Sequence, residues 1–261
     1  MGFKVCKARF DDAWASPLYH SMDRNQSFLW TIVREPSERA ISQLLHFHVP
    51  IEHQPSTDES LVSRIRNETG MFSDYYLSRL SSNRFQRKKN DPVQRANEIL
   101  QQYDFIAIME RMDESIVALS MLLKLPLADV LYLTAKDKRG YDDTDKKDLC
   151  EYIEPAFISD GLRTFSQTKE YQDMVRWDSL LYQAANKSLD LTIEALGREK
   201  FARNLSIFRQ AQEEATTRCI LFTRFPCSEN RTLNKDIDCL WKDSECGLDC
   251  LDQVSNDLDL W

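Results

Sequence analysis

The stretch FLWTIVREPSERAISQLLHFHV, residues 28–49, decides the fold. Its first six residues are a continuous run of apolar, mostly β-branched and aromatic side chains, which predicts a buried central strand with Trp30 in the core. The run ends at Arg34, and Pro36 suits the first position of a helix, where its missing N–H needs no partner. Apolar side chains then recur at helical spacing, at positions 40, 41, 44, 45 and 47. The stretch therefore predicts a strand that leads directly into an amphipathic helix.

Apolar runs and helical patterns alternate along the rest of the chain. The run YDFIAIM at 103–109 predicts a second buried strand ending at Glu110, followed by a helix that Asp113 caps, and VLYL at 130–133 predicts a third strand. Apolar strands that alternate with helices imply an α/β fold, a parallel sheet flanked by helices. Helices are predicted near 59–68 and 72–80, from Pro92 to about 103, and through most of the chain to about 222 with Gly197 between the last two.

The composition bounds the kind of protein. The chain has 261 residues, of which 42% are hydrophobic, so it can bury a core and wholesale disorder is excluded. The net charge of −8 argues against a general nucleic-acid binder. Residues 236–261 alone carry −7, which leaves the rest nearly neutral. We therefore expect an α/β domain over 1–222 and an acidic, cysteine-rich tail over 223–261.

The six glycines exclude two phosphate-binding loops. They stand at positions 2, 70, 140, 161, 197 and 247, so neither G-x-x-x-x-G-K-[ST] nor G-x-G-x-x-G occurs. Any phosphate site must therefore use side chains and a helix N-terminus. The first 20 residues lack the apolar segment of a signal peptide, and no apolar run reaches 18 residues, so no transmembrane segment is expected in this chain.

Cysteines and glycosylation sequons both favour a secretory lumen. Five of the seven cysteines lie in the last 43 residues, a clustering that favours disulfides in the tail. A zinc site is the alternative, although no histidine follows His53. N-x-[ST] sequons, which indicate a glycoprotein, occur at Asn25, Asn67, Asn186, Asn204 and Asn230.

The segment after the first strand has the chemistry of an anion site. An arginine at the carboxyl end of a parallel strand points into the crevice where α/β sheets bind ligands, and the next helix directs its positive end there. Arg34 can donate to two phosphate oxygens, Ser42 lies two turns along the helix, and Arg39 adds positive charge. In the alternative interpretation Arg34 pairs with Glu35 or Glu38 and Ser42 only packs.

Two further features have open roles. Glu110 can act as a base in the crevice, or it can be a buried carboxylate that accepts hydrogen bonds from nearby backbone N–H groups. The basic run at 79–95 can hold an acidic glycan or a glycolipid headgroup, or it can be a solvated loop.

The R-E-P-x-x-R-x-x-S pattern of the opening stretch resembles the 3′-phosphate-binding segment of the Golgi carbohydrate sulfotransferases. The similarity is closest to the galactose-3-O- or cerebroside-type enzymes and the heparan sulfate 2-O-type enzymes. Two more blocks resemble segments of that family in the same order: YDFIAIMERMDESIVALSMLL at 103–123 and WDSLLYQAANKSLDLTIEALGREKFARNLSIFRQ at 177–210. Together the three blocks span residues 28–210.

The resemblance implies a P-loop-like fold and transfer of sulfate from 3′-phosphoadenosine 5′-phosphosulfate (PAPS) to a hydroxyl of a carbohydrate or glycolipid, without a metal. It implies a place in the Golgi lumen. By matching positions, Arg34 and Ser42 hold the 3′-phosphate. The loop at 134–141 corresponds to a nucleotide-covering loop, whose candidate residues are Lys136, Lys138, Arg139 and Gly140.

The chain departs from the family at its start. The family's K-[TS]-G-[GS]-T loop, which holds the 5′-phosphosulfate, has no match, because the 33 residues before Arg34 contain one glycine, Gly2. The family's histidine base has no clear match either. We therefore expect a sulfotransferase-like domain that is incomplete at its N-terminus. The alternative is a catalytically inactive remnant that binds nucleotide or glycan without turnover.

Overall fold

The computed structural model describes residues 23, 25–44, 57–67, 72–81, 91–133, 159–223 and 247–261. Within these ranges the chain forms two strands and nine α-helices. The strands are β1 (Trp30–Val33) and β2 (Phe105–Ile108). The helices are α1 (Pro36–Gln43), α2 (Asp58–Asn67), α3 (Tyr75–Arg79), α4 (Pro92–Gln102), α5 (Met112–Leu123), α6 (Asp160–Ser166), α7 (Lys169–Leu196), α8 (Arg198–Arg218) and α9 (Leu248–Asp257). Single 3₁₀ turns cover Met109–Arg111, Leu127–Val130 and Ile220–Thr223.

The two strands pair in parallel, with Trp30 opposite Phe105 and Val33 opposite Ile108. Parallel pairing with flanking helices confirms the α/β class. It also brings the carboxyl ends of both strands to one edge, where Arg34 and Glu110 follow them.

Burial differs between the two strands. Every residue of β2 is buried, as predicted for 103–109. The prediction that 28–33 is a buried central strand with Trp30 in the core is wrong, since Trp30 is 42% and Ile32 37% exposed, while Val33 is buried. Alternate side chains of a strand point to opposite faces, so the exposed pair marks one open face of β1.

The predicted third strand at 130–133 is also wrong. Its first residue ends the 3₁₀ turn Leu127–Val130, and the three residues that follow belong to no strand. Pro126, which precedes this turn, has an extended conformation. Within the predicted strand, the Leu131 N–H donates to the carbonyl of Ala128 and the Tyr132 N–H donates to Oε1 of Gln212, so neither N–H binds a neighbouring strand.

Local signals set most helix boundaries. Pro36 and Pro92 begin α1 and α4 as predicted, and the Glu35 carboxylate caps α1 by accepting the N–H of Glu38 at 2.8 Å. Helix α5 begins at Met112, so Asp113 lies in its first turn rather than at the predicted cap. The negative charge of Asp113 in the first turn interacts favourably with the positive end of the helix dipole.

Helix α7 runs through both hydrophobic cores. Its first turns contribute Tyr171 and Val175 to a smaller core shared with α1, α2 and α6. Its later turns contribute Leu181 and Leu189 to the main core, which includes β2, α5 and α8. One helix of 28 residues joins the two cores. Side chains of α7 that lie between the cores are therefore held in defined positions relative to both.

The described part of the tail packs onto α8. Leu251 and Val254 of α9 are buried in the main core, and a disulfide joins Cys219 at the end of α8 to Cys250. The other five cysteines lie outside the described residues. The predicted boundary between a domain over 1–222 and a tail over 223–261 stays a prediction. None of the helices in the described ranges is both long and apolar enough to cross a membrane.

Candidate functional site

The backbone of Arg34 is held where β1 ends. The Tyr76 hydroxyl accepts the Arg34 N–H at 2.8 Å and donates to the Arg34 carbonyl at 2.8 Å. Burial raises the pKa of Tyr76 well above its ordinary value, so the hydroxyl keeps its proton at physiological pH. One buried side chain therefore binds both polar backbone atoms of Arg34.

The next residue is held through a carboxylate from the end of β2. The Glu35 N–H donates to Oε1 of Glu110 at 2.8 Å, and the Tyr182 hydroxyl donates to Oε2 of Glu110 at 2.9 Å. Burial, with the hydrogen bond to Glu110 second, raises the pKa of Tyr182 to about 12. Glu110 thus accepts from a backbone N–H, one of its two predicted roles, although its side chain is exposed rather than buried.

The Arg34 side chain makes an ion pair with its own helix. Its Nη2 lies 3.2 Å from Oε2 of Glu38, and the two side chains are 33% and 45% exposed. This is the pairing of the alternative interpretation. A half-exposed pair four residues apart contributes only about 0–1 kcal/mol, so a stronger anionic partner can displace Glu38.

Arg39 has two donors that the described part of the chain leaves unsatisfied. Its guanidinium carbon lies 3.9 Å from the ring centre of Tyr75, and its Nη1 donates to Gln43. Its Nε and Nη2 are buried and have no hydrogen-bond acceptor among the described residues. Ser42, which is half-buried, lies three residues along α1 and therefore on the same side of the helix. A water or an anion oxygen would satisfy these donors.

Asp178 on α7 supports the segment that carries Tyr76. This fully buried carboxylate accepts the N–H groups of Tyr76 and Leu77 through Oδ1, at 3.0 and 3.2 Å. Burial raises its pKa to about 6, against the opposing effects of the Leu77 hydrogen bond and the Arg39 charge. Its Oδ2 is buried and has no hydrogen-bond partner in the described part of the chain.

A second polar cluster lies further along α7. Arg111 donates from Nη1 to Asn186 at 2.6 Å and to Asp190 at 2.8 Å, and it also pairs with Glu114. The amide of the Asn186 sequon is therefore engaged in a hydrogen bond within the fold. Asp178, Tyr182, Asn186 and Asp190 follow at intervals of four residues, so one side of α7 faces the strand ends.

The structure brings some of the predicted residues together and leaves others undescribed. Arg34, Arg39 and Ser42 lie on the β1–α1 segment, as predicted. Most of the basic run at 79–95 lies outside the described residues. So do the four residues of the predicted nucleotide-covering loop, Lys136, Lys138, Arg139 and Gly140.

Sequence reasoning missed two residues of this site. Tyr76 has no signal in the sequence, because nothing in its short helix marks one tyrosine as the partner of a strand 42 residues away. Asp178 begins the D-x-x-L-Y pattern in the third resembling block, and that pattern is a signal that could have found it.

The chain is similar to one curated human protein. It is 25% identical over 206 residues to galactosylceramide sulfotransferase from Homo sapiens, and the aligned part covers 73% of this chain and 44% of that relative. The chain thus spans less than half the length of the relative it matches. This distant similarity supports a relation to carbohydrate sulfotransferases. No family profile matches the chain. No solved structure matches it.

Proposed function

We propose that this protein is a sulfotransferase-like protein of the Golgi lumen that transfers sulfate from PAPS to a hydroxyl of a carbohydrate or glycolipid. The observation that carries the proposal is the 206-residue similarity to galactosylceramide sulfotransferase. The parallel strand β1, which Arg34 follows and which leads into α1, supports it, because the carboxyl ends of such strands are where α/β sheets bind ligands. A P-loop-like sheet is part of the proposal.

The residues on the β1–α1 segment suit a phosphate group. In this proposal Arg34 exchanges the weak pair with Glu38 for the 3′-phosphate, and Ser42 offers a hydroxyl to the same group. The guanidinium of Arg39, whose Nε and Nη2 have no hydrogen-bond partner within the described ranges, adds positive charge on the side of α1 that carries Ser42. Glu35 and Glu38 oppose an anion here, so the phosphate has to displace Glu38 from Arg34.

The remaining roles follow from the family resemblance. Lys136, Lys138, Arg139 and Gly140 are proposed to cover the nucleotide. PAPS, when bound, supplies the activated sulfate. The chain's own residues then act by orienting the nucleotide and by placing positive charge near its phosphates.

Calorimetry with adenosine 3′,5′-bisphosphate tests the site. We expect Arg34→Ala to raise the Kd about 10- to 100-fold, because a hydrogen-bonded charge contributes about 1.5–3 kcal/mol. Arg203→Ala on the exposed side of α8 removes the same charge and serves as the matched control. A wild-type chain that does not bind the nucleotide would contradict the proposal. Equal losses in both variants would show that the Arg34 assignment is wrong.

A transfer assay separates the proposal from the alternative of binding without turnover. The probe is PAPS with labelled sulfate, and the acceptor is a glycolipid with a terminal galactose, chosen from the name of the human relative. Labelled acceptor supports the enzyme. Nucleotide binding without labelled product over a panel of glycans supports the inactive binder.

A further inference from the structure

Helix α7 reaches the turn between β1 and α1 along two separate paths. We propose that Asp178 and Tyr182, one turn apart on α7, are positioning residues that hold the Arg34–Glu35 turn in the geometry that presents Arg34 to its phosphate. The inference rests on the proposed function for the ligand, whereas the holding of the turn itself rests on hydrogen bonds within the fold.

The first path begins at the buried carboxylate of Asp178. Helix α3 has only five residues, and Asp74 before it adopts a left-handed conformation with φ of +52° and makes no capping hydrogen bond. Asp178 supplies the missing cap by accepting the N–H groups of Tyr76 and Leu77. This fixes Tyr76, whose hydroxyl binds both the N–H and the carbonyl of Arg34.

The second path begins at the hydroxyl of Tyr182. It donates to one oxygen of Glu110, and the other oxygen accepts the N–H of Glu35. The same carboxylate therefore joins the end of β2, the start of α1 and the middle of α7. Because both oxygens have partners, rotation of the Glu110 carboxylate is restrained.

Together the two paths restrain the peptides on both sides of the Arg34 Cα atom. The Tyr76 hydroxyl binds the Arg34 N–H, which belongs to the peptide before the Cα atom, and the Arg34 carbonyl, which belongs to the peptide after it. Glu110 accepts the Glu35 N–H, which belongs to that later peptide. The side chain of Arg34 extends from this restrained backbone and makes only a weak ion pair with Glu38. A misplacement of about 1 Å in a positioning group can lower the rate of a catalysed reaction about 100-fold, so the restraint on the Arg34 backbone matters for how the bound nucleotide is oriented.

Amide hydrogen exchange tests the restraint without any ligand. We expect Tyr76→Phe to speed exchange of the Arg34 amide about tenfold and Tyr182→Phe to speed that of Glu35 about fivefold, since each removes a hydroxyl from its path. Tyr103→Phe is the matched control, because it removes a buried hydroxyl that belongs to neither path. Unchanged exchange at both amides in the two path variants would overturn the proposal.

A double-mutant cycle tests whether Tyr182 acts through Arg34 rather than through general stability. We expect Tyr182→Phe to raise the Kd for adenosine 3′,5′-bisphosphate about tenfold in the wild-type background and less than twofold in Arg34→Ala. Equal losses in both backgrounds overturn the positioning role. A wild-type chain that does not bind the nucleotide contradicts the proposed function, and the exchange of the Arg34 and Glu35 amides then decides the inference alone.

Discussion

At the scale of single residues, Asp178 is a carboxyl that the fold removes from water. Its folded pKa of about 6 lies above its ordinary value of 3.8, because burial outweighs the hydrogen bond from Leu77 and the charge of Arg39. The folded state therefore binds the Asp178 proton more tightly than the unfolded state does. This difference stabilises the folded state by up to about 3 kcal/mol below about pH 3.8. The stabilisation is lost as the pH rises towards 6.

Asp178→Asn removes this titration and keeps one oxygen for the N–H groups of Tyr76 and Leu77. We expect the free energy of unfolding of the variant, relative to wild type, to increase between pH 4 and pH 7 by up to about 3 kcal/mol. Urea unfolding at four pH values measures the difference. Asp252→Asn on the exposed side of α9 is the control and should show no such trend. A difference for Asp178→Asn that stays constant with pH would contradict the prediction.

At the scale of elements, two glycines begin helices for different reasons. Gly197 joins α7 to α8 with φ of +89°, and a Cβ added there would meet no atom within 4 Å. Gly247 precedes α9 with φ of +72°, but a Cβ there would lie 2.6 Å from Leu133 and 3.0 Å from Phe222. The first position therefore requires glycine for its backbone alone, and the second also for space.

Alanine at the two positions separates these effects. We expect Gly197→Ala to lower the free energy of unfolding by about 1–3 kcal/mol through backbone strain. Gly247→Ala should lower it by about 2–5 kcal/mol, because overpacking adds about 1–3 kcal/mol to a cost of about 1–2 kcal/mol for its left-handed backbone. Chemical denaturation of both variants measures the difference. Equal losses would show that Leu133 and Phe222 give way to the added methyl group.

Short apolar runs were the elements that the sequence predicted least well. FIAI and VLYL are alike as patterns, yet FIAI forms β2, whereas VLYL begins at the last residue of a 3₁₀ turn and forms no strand. Periodicity cannot separate such runs, since four residues satisfy either pattern. Within VLYL, the Tyr132 N–H donates to Gln212, 80 positions further along the chain, rather than to a neighbouring strand.

At the scale of the whole molecule, the end of the chain is fastened to α8. The disulfide between Cys219 and Cys250 closes a separation of 31 residues, for which the chain-entropy relation gives about 3–4 kcal/mol of stabilisation. Leu251 and Val254 add buried apolar surface next to it. The acidic tail is therefore covalently and hydrophobically attached to the main core over its described residues.

Replacing both cysteines tests this attachment without leaving an unpaired thiol. We expect Cys219→Ala with Cys250→Ala to lower the free energy of unfolding by about 2–4 kcal/mol, measured by denaturation under non-reducing conditions. Peptide mapping of the unreduced wild type should recover the two cysteines in one linked pair. A map that joins Cys219 to a different cysteine would show that the tail is arranged otherwise.

The sequence by itself determined the features that depend on neighbouring residues. Pro36 and Pro92 set helix starts, the 3.6-residue pattern set α7 and α8 with Gly197 between them, and the run at 103–109 contained the fully buried β2. It also placed Arg34, Arg39 and Ser42 on one strand–helix segment. These are local properties of propensity, capping and spacing, which the chain carries before it folds.

Only the tertiary structure decided which groups meet at the strand ends. Tyr76 binds Arg34 across 42 positions, Glu110 binds Glu35 across 75, and Asp178 binds Tyr76 across 102. No local pattern encodes such pairs, because they arise when helices pack and buried polar groups need partners. The same packing leaves one face of β1 open, so the run predicted to be buried exposes its tryptophan.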